Sequence, residues 1–340
     1  MKFFNLLSLL PLVAAAPSPL NVKLERAGNS LITATITNTG NKDIRIFKAG
    51  SIFDDIPTEK VKIAHKDGTE IPFKGIRVAL KTHDLDDDSF QHIPAGKSVD
   101  VTFDVARTHD LSKGGDFHIL SEGILQYAQD KSNKITGSAA FASNKLSSNV
   151  DGLLAGAAHK EMQTKRTYLQ NDCTGSRGQA QANANRNCAA MASAAYYAAT
   201  QAPDSKIQQY YHDASQRTRS IIQGIFSRVY DECNNTPGGG SNTYCTDVDN
   251  SCGQNILAYT YYTGHYQVYC DLHYTYPAVA GCRYMDQAST VLHESTHLDY
   301  VGYTHDHAYG YQGSTSLNTQ ASLDNADTYR YFANDVYNRC

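Results

Sequence analysis

The sequence has no excess of basic residues. Its 30 lysines and arginines face 34 aspartates and glutamates, a formal net charge of −4. That balance offers no electrostatic case for nucleic acid as a partner. Beyond the extreme N-terminus no stretch approaches the roughly 20 consecutive apolar residues that a membrane helix needs. No Gly-x-Ser-x-Gly elbow occurs, so a serine hydrolase of that type has no visible nucleophile. No cysteine precedes Cys173, no glutamate follows Glu294, and Lys206 is the only lysine after Lys165. Tyrosine shows the opposite bias, with 22 of 23 at or after Tyr168.

These biases change together near residue 166, and they divide the chain. Residues 167–340 carry nine basic and fifteen acidic side chains, whereas the preceding part is slightly basic. The junction is Lys165-Arg166, a dibasic pair of the kind processing proteases cut in exported chains. At the N-terminus, Lys2, an apolar run over residues 3–13 and Ala14-Ala15-Ala16 form a secretory signal, with cleavage expected near 16–19. The predicted organisation is therefore signal peptide 1–19, pro-segment 20–166 and mature domain 167–340, secreted to the extracellular space as a soluble monomer. Eight cysteines, all between Cys173 and Cys340, fit an oxidising compartment and read as four bridges, with 105 pairings open from number alone.

Residues 20–150 alternate in short runs (20–24, 31–37, 44–47, 61–63, 76–78, 101–105) separated by turn signals, which predicts a small antiparallel β-sandwich. Residues 132–166, rich in Ala, Ser, Gly and Lys, read as a connector. The second half reads as mainly helical: an alanine-rich helix over 189–200, one long helix from Asp204 to about Tyr230, and helical spacing over 286–300 and 323–337. A β-hairpin is expected over 256–270, its edge a candidate surface for pairing with an extended substrate backbone. The predicted class is α+β: a β-sandwich-like pro-domain followed by a mainly helical, zincin-type catalytic domain with a small sheet.

The chemistry concentrates in Val291-Leu292-His293-Glu294-Ser295-Thr296-His297. Histidines four apart on a helix share one face and can reach one zinc ion. Glu294 sits where a carboxylate can deprotonate a zinc-bound water. A third ligand is required. The metzincin arrangement is excluded by Tyr300 and Tyr303, and a downstream glutamate ligand by the lack of any glutamate. Asp299 faces away from the other ligands on the same helix. The third ligand is left to the loop 302–310, which holds His305, Asp306 and His307.

Together with the loop Gly302-Tyr303-Thr304-His305-Asp306-His307-Ala308-Tyr309-Gly310, the helix motif resembles the deuterolysin family of fungal zinc endopeptidases, the aspzincins. Their second motif is Gly-Thr-x-x-Asp-x-x-Tyr-Gly. This chain matches it at Gly302, Asp306, Tyr309 and Gly310 and departs from it at Tyr303. The resemblance implies one zinc on His293, His297 and Asp306, with Glu294 as general base and Tyr309 as donor to the oxyanion. It implies bridges Cys173–Cys245, Cys252–Cys270 and Cys282–Cys340, which leaves Cys188 and Cys233 to pair. Asn325-Ala326-Asp327 resembles a family segment in which an acidic residue faces bound peptide, so Asp327 is expected to receive a basic side chain. Basic proteins such as protamine and histone are the implied substrates, and the acidic mature half is consistent with them. The pro-segment, having no thiol to place on zinc, is expected to template the mature half and cover its cleft. The competing reading is a secreted zinc- or ligand-binding protein without catalysis.

Overall fold

A computed structural model of the chain describes residues 18–129, 132–164, 172–234 and 240–340. The signal sequence and the Lys165-Arg166 pair lie outside the described residues. The structure is mixed α/β, and four small sheets are formed.

Residues 20–150 supply all the strands of three of these sheets and one strand, Arg77–Leu80, of the fourth. Leu20–Arg26, Leu31–Asn38 and Ser98–Asp104 form one. Their alternating residues Val22, Leu24, Ile32, Ala34 and Ile36 point into a core shared with Ile46, Ile63, Phe117 and Ile119 from the other two. The stretch read as a connector is instead regular structure. Gly137–Ala142 pairs with Glu122–Gln129, Leu146–Val150 pairs with Gly115–Leu120, and Gly152–Thr164 is a helix. Small residues there are strand residues: Ala139 and Val150 reach the core while their neighbours stay exposed, a period of two that alanine and serine conceal in sequence.

The second half packs helices around Gly175–Gln201. Its inward stripe Ala184, Cys188, Ala192, Ala195 and Ala199 is small enough for close approach of Gln216–Asn234, which offers Ile222, Phe226, Val229 and Cys233. The single helix expected from Asp204 is two, Asp204–Tyr211 and Gln216–Asn234. His212 takes a left-handed conformation, and Asp213 accepts bonds from Ser215 and Thr218 at the start of the next helix. Bridges join Cys173 to Cys245, Cys188 to Cys233, Cys252 to Cys270 and Cys282 to Cys340.

The fourth sheet joins the halves. Ile256–Tyr261 and Tyr266–Tyr269 make the expected hairpin, and Asn242–Tyr244 adds in parallel to Tyr266–Tyr269 at one edge. On the opposite edge lies Arg77–Leu80, a strand from the first half, antiparallel to Ile256–Tyr261. The sequence places this strand in the N-terminal sandwich; its partner is about 180 residues away. Val78 and Leu80 share one apolar cluster with Tyr259, Tyr261 and Tyr309, so a core spans the junction.

Candidate active site

The helix Gln287–His297 is wholly buried and is fixed at its start by Asp286, whose side chain accepts the Ser289 N–H at 2.6 Å. The helix ends at Leu298, and the chain folds straight back along it. Gly302 is required there, because a Cβ would lie 2.8 Å from the Thr296 carbonyl oxygen. The return brings the Thr304 carbonyl to 2.8 Å from His297 Nδ1. That contact assigns the proton to Nδ1 and leaves the Nε2 lone pair facing the site.

His293 is oriented in the same manner by a charge. Its Nδ1 lies 2.7 Å from Asp327 Oδ1. Asp327 is itself held by Arg330, whose Nε is 3.1 Å away and whose side chain is fully buried. Burial works to raise the Asp327 carboxyl, yet Arg330 and His293 keep it below the usual carboxylate range. Asp327 therefore lies beneath a histidine and not against a cleft. The expectation that it receives a substrate side chain gives way to this placement, because its oxygens are already taken by His293, Arg330 and the Gly310 N–H at 2.7 Å.

The loop that follows is clamped by the same segment. His305 pairs with Asn325 as a bridge, and Asn325 Oδ1 accepts the His307 and Ala308 N–H groups. Asn325 was invisible as a functional residue in the sequence, although it stands two positions before Asp327. The clamp turns His305 and His307 outward to Asp324, at 2.9 and 2.8 Å, and turns Asp306 inward. Asp306 lies 3.3 Å from His293 Nε2 and 3.4 Å from His297 Nε2, and the two Nε2 atoms are 3.1 Å apart.

Two imidazole nitrogens and a carboxylate oxygen thus converge within 4.8 Å of one another, and the arrangement calls for positive charge. Burial opposes a charge on His293, but Asp306 and Asp327 outweigh it and push its pKa up to about 10. Burial holds His297 down, to about 3. Asp306 Oδ1 is buried without a hydrogen-bond partner among the described residues. Two imidazoles and a carboxylate are a donor set that could hold a metal ion, and they fit zinc.

Glu294 is fully buried next to this cluster. Its Oε2 accepts the Thr260 hydroxyl at 2.6 Å and its Oε1 the Ala79 N–H at 2.8 Å. Burial is the main cause that lifts its pKa to about 8. Val78, the preceding residue, places its carbonyl oxygen 3.2 Å from His293 Nε2 and its N–H 3.1 Å from Asp306 Oδ2. Two successive peptide units of the first half, Arg77–Val78 and Val78–Ala79, therefore lie across the site. Tyr309 is buried beside it; burial, with Asp306 and Asp327 nearby, raises its phenol far above the usual value and keeps it protonated. A Cβ at Gly50 would lie 3.0 Å from the Tyr309 hydroxyl, so the first half touches this residue also.

The description "Deuterolysin metalloprotease (M35) family" matches residues 3–340. A neutral protease 2 homolog of Colletotrichum graminicola is 39% identical over 352 residues, covering 100% of both chains. Another, of Phaeosphaeria nodorum, is 40% identical over 95% of this chain and 93% of its own. Among solved structures, a zinc peptidase from Grifola frondosa is similar over 48% of this chain and 97% of its own, at 22% identity and TM-score 0.41. The chain belongs to the deuterolysin family of metalloproteases.

Proposed function

We propose that residues 167–340 form a secreted zinc endopeptidase acting on basic proteins, kept latent by residues 20–166 until the chain is cut after Lys165-Arg166. The observation that carries this reading is the Val78–Ala79 peptide unit. Its carbonyl faces His293 and its N–H faces Glu294, the placement a scissile bond requires. The flanking backbone pairs with the sheet edge Ile256–Tyr261 as an extended substrate would.

His293, His297 and Asp306 would hold one zinc, which supplies a Lewis acid and lowers the pKa of water toward neutrality. Asp327 and the Thr304 carbonyl orient the two imidazoles through their Nδ1 protons. Glu294 takes the proton of the attacking water on a carboxylate oxygen. It then delivers that proton to the leaving nitrogen, whose position is marked by Ala79 N, 2.8 Å from Glu294 Oε1. Thr260 holds the other oxygen of Glu294 throughout. Tyr309, protonated, donates to the oxyanion once the first half has left. The fifteen acidic side chains against nine basic ones in 167–340 support steering of cationic substrates. The leader at residues 1–19 and the four bridges support export, and among the described residues no helix is long and apolar enough to cross a membrane.

The test uses the full chain expressed in a secreting host, its cut after Arg166 checked by mass spectrometry. Protamine hydrolysis is expected to vanish with a chelator and return with zinc. Glu294→Gln is expected to fold, take up zinc and lose about 10²–10⁴-fold in rate. A folded, zinc-loaded and cut protein that leaves protamine intact would overturn the reading.

A further inference from the structure

We infer that Tyr262, Tyr303 and the Thr304 carbonyl form a binding subsite for an arginine side chain, the one immediately preceding the residue that presents the scissile carbonyl. This inference rests on the function proposed above and adds a side-chain preference to it.

The occupant of that subsite in the present structure is Arg77. It precedes Val78 in the inserted strand and pairs with Thr260 across the sheet edge. Its side chain is 4% exposed, unusual burial for a lone cation. Among the described residues no carboxylate lies within ion-pair distance of it, and its Nε and Nη2 have no hydrogen-bond partner. Its charge is met in another way. The guanidinium carbon lies 4.5 Å from the Tyr262 ring centroid and 4.7 Å from that of Tyr303. Nη1 donates to the Thr304 carbonyl at 2.7 Å. Two aromatic faces and one carbonyl, all from the second half, hold a planar cation.

The clamp is built into the metal-site loop. Tyr303 stands at φ 53°, a left-handed conformation that is uncommon for an aromatic residue. It is held there by the tight return whose N–H bonds to the Leu298 carbonyl at 3.1 Å. That conformation aims its ring at Tyr262, 5.2 Å away and nearly edge-on. The carbonyl that receives Arg77 also fixes His297, so the subsite is locked in position relative to the reacting atoms. Tyr303 remains 40% exposed even with Arg77 in place, so the clamp opens to solvent once the first half departs. Lysine can stack but lacks the flat fork that lies against both rings while donating to the Thr304 carbonyl, so arginine is favoured over lysine. Leucine fills the volume and leaves the carbonyl unpaired.

The decisive experiment compares quenched peptides of the form X-Val-Ala-Leu, with X as Arg, Lys or Leu, on the secreted, cut and zinc-loaded protein. Each cut position is read by mass spectrometry. The arginine peptide is expected to be cleaved between Val and Ala with kcat/KM about tenfold above the leucine peptide, mainly through KM, and lysine between them. Tyr303→Thr is expected to bring the Arg-to-Leu ratio below about threefold. Should that variant fail to fold, Tyr262→Leu gives the same readout, and the wild-type series stands by itself. Equal rates for Arg and Leu, or cutting at a different bond, overturn the subsite. Cleavage of protamine with none of the peptides cut overturns the subsite and leaves the protease reading intact. Failure to cut either overturns both.

Discussion

The N–H of Ala79 donates to Glu294 Oε1 across 2.8 Å, so a residue of the N-terminal half occupies the carboxylate proposed to transfer the proton. In the proposed reading the bond couples latency to chemistry, because the inserted strand fills the place beside this carboxylate that a substrate backbone would take. A chain that cannot be cut, carrying Lys165→Ala and Arg166→Ala, is expected to be nearly inert toward protamine with zinc supplied. Adding Ala79→Pro removes the donor and strains the inserted strand. Residual activity of the uncut chain is then expected to rise at least about tenfold. Equal activity in both uncut forms would show that this contact does not enforce latency.

Asp327 supports His293, and its two neighbours separate its roles. Asp327→Asn keeps the shape but removes the charge facing His293 Nδ1 at 2.7 Å, so zinc affinity is expected to fall about 10–100-fold. Asp327→Ala also strands the buried Arg330 and is expected to destabilise the fold by about 3–5 kcal/mol. Zinc competition against a chromophoric chelator reads the first effect and urea unfolding the second. Wild-type zinc affinity in the asparagine variant would place Asp327 outside the metal's support.

The parts of this site legible in the sequence are those whose geometry is local. His293, Glu294 and His297 follow from helical spacing, the loop 302–310 narrows the third ligand to His305, Asp306 or His307, and only the resemblance to the deuterolysin family singles out Asp306. What escaped is set by partners far away in the chain. Residues 76–78 read as a strand, but nothing local says that its neighbour is Tyr259. Asp327 is singled out by its Asn325-Ala326-Asp327 segment, but its role is misassigned to substrate, because its contact with His293 and the Asn325 clamp exist only once the loop 302–310 is folded over them. The break at His212 had a local signal: Asp213 followed by Ser215 and Thr218 is a helix start. Alternation of Ala and Ser over 137–150 hid strands because small residues carry little hydrophobic contrast.

The Cys188–Cys233 bridge ties the two longest helices of the second half across 45 residues. Both sulfurs lie in the core, so alanine at both positions leaves little void and isolates the effect of the cross-link. Cys188→Ala with Cys233→Ala is expected to cost about 4 kcal/mol by the chain-entropy relation. Urea unfolding of the double variant beside the wild type measures it, and an unchanged midpoint would contradict the estimate.

Acid should weaken the N-terminal half through His109. The residue is 1% exposed, its Nδ1 is 3.1 Å from the Thr108 hydroxyl and its ring packs on Phe73. Burial, assisted slightly by His159 on the neighbouring helix, lowers its pKa from 6.5 to about 4. The unfolded chain therefore binds a proton below pH 6.5 that the folded chain refuses until about pH 4. Stability from this group is complete above pH 6.5 and is lost as pH falls toward 4, about 3 kcal/mol in all. His109→Leu removes the titration, so its unfolding free energy should fall less steeply than wild type between pH 6.5 and 4. Parallel curves for the two proteins would mean that His109 is not the group being protonated. Because Phe73 also accepts the Tyr262 hydroxyl on its carbonyl, loosening around His109 reaches the junction of the two halves. Release of the N-terminal half after cutting is then expected to be faster at pH 5 than at pH 7, and the difference to shrink in His109→Leu.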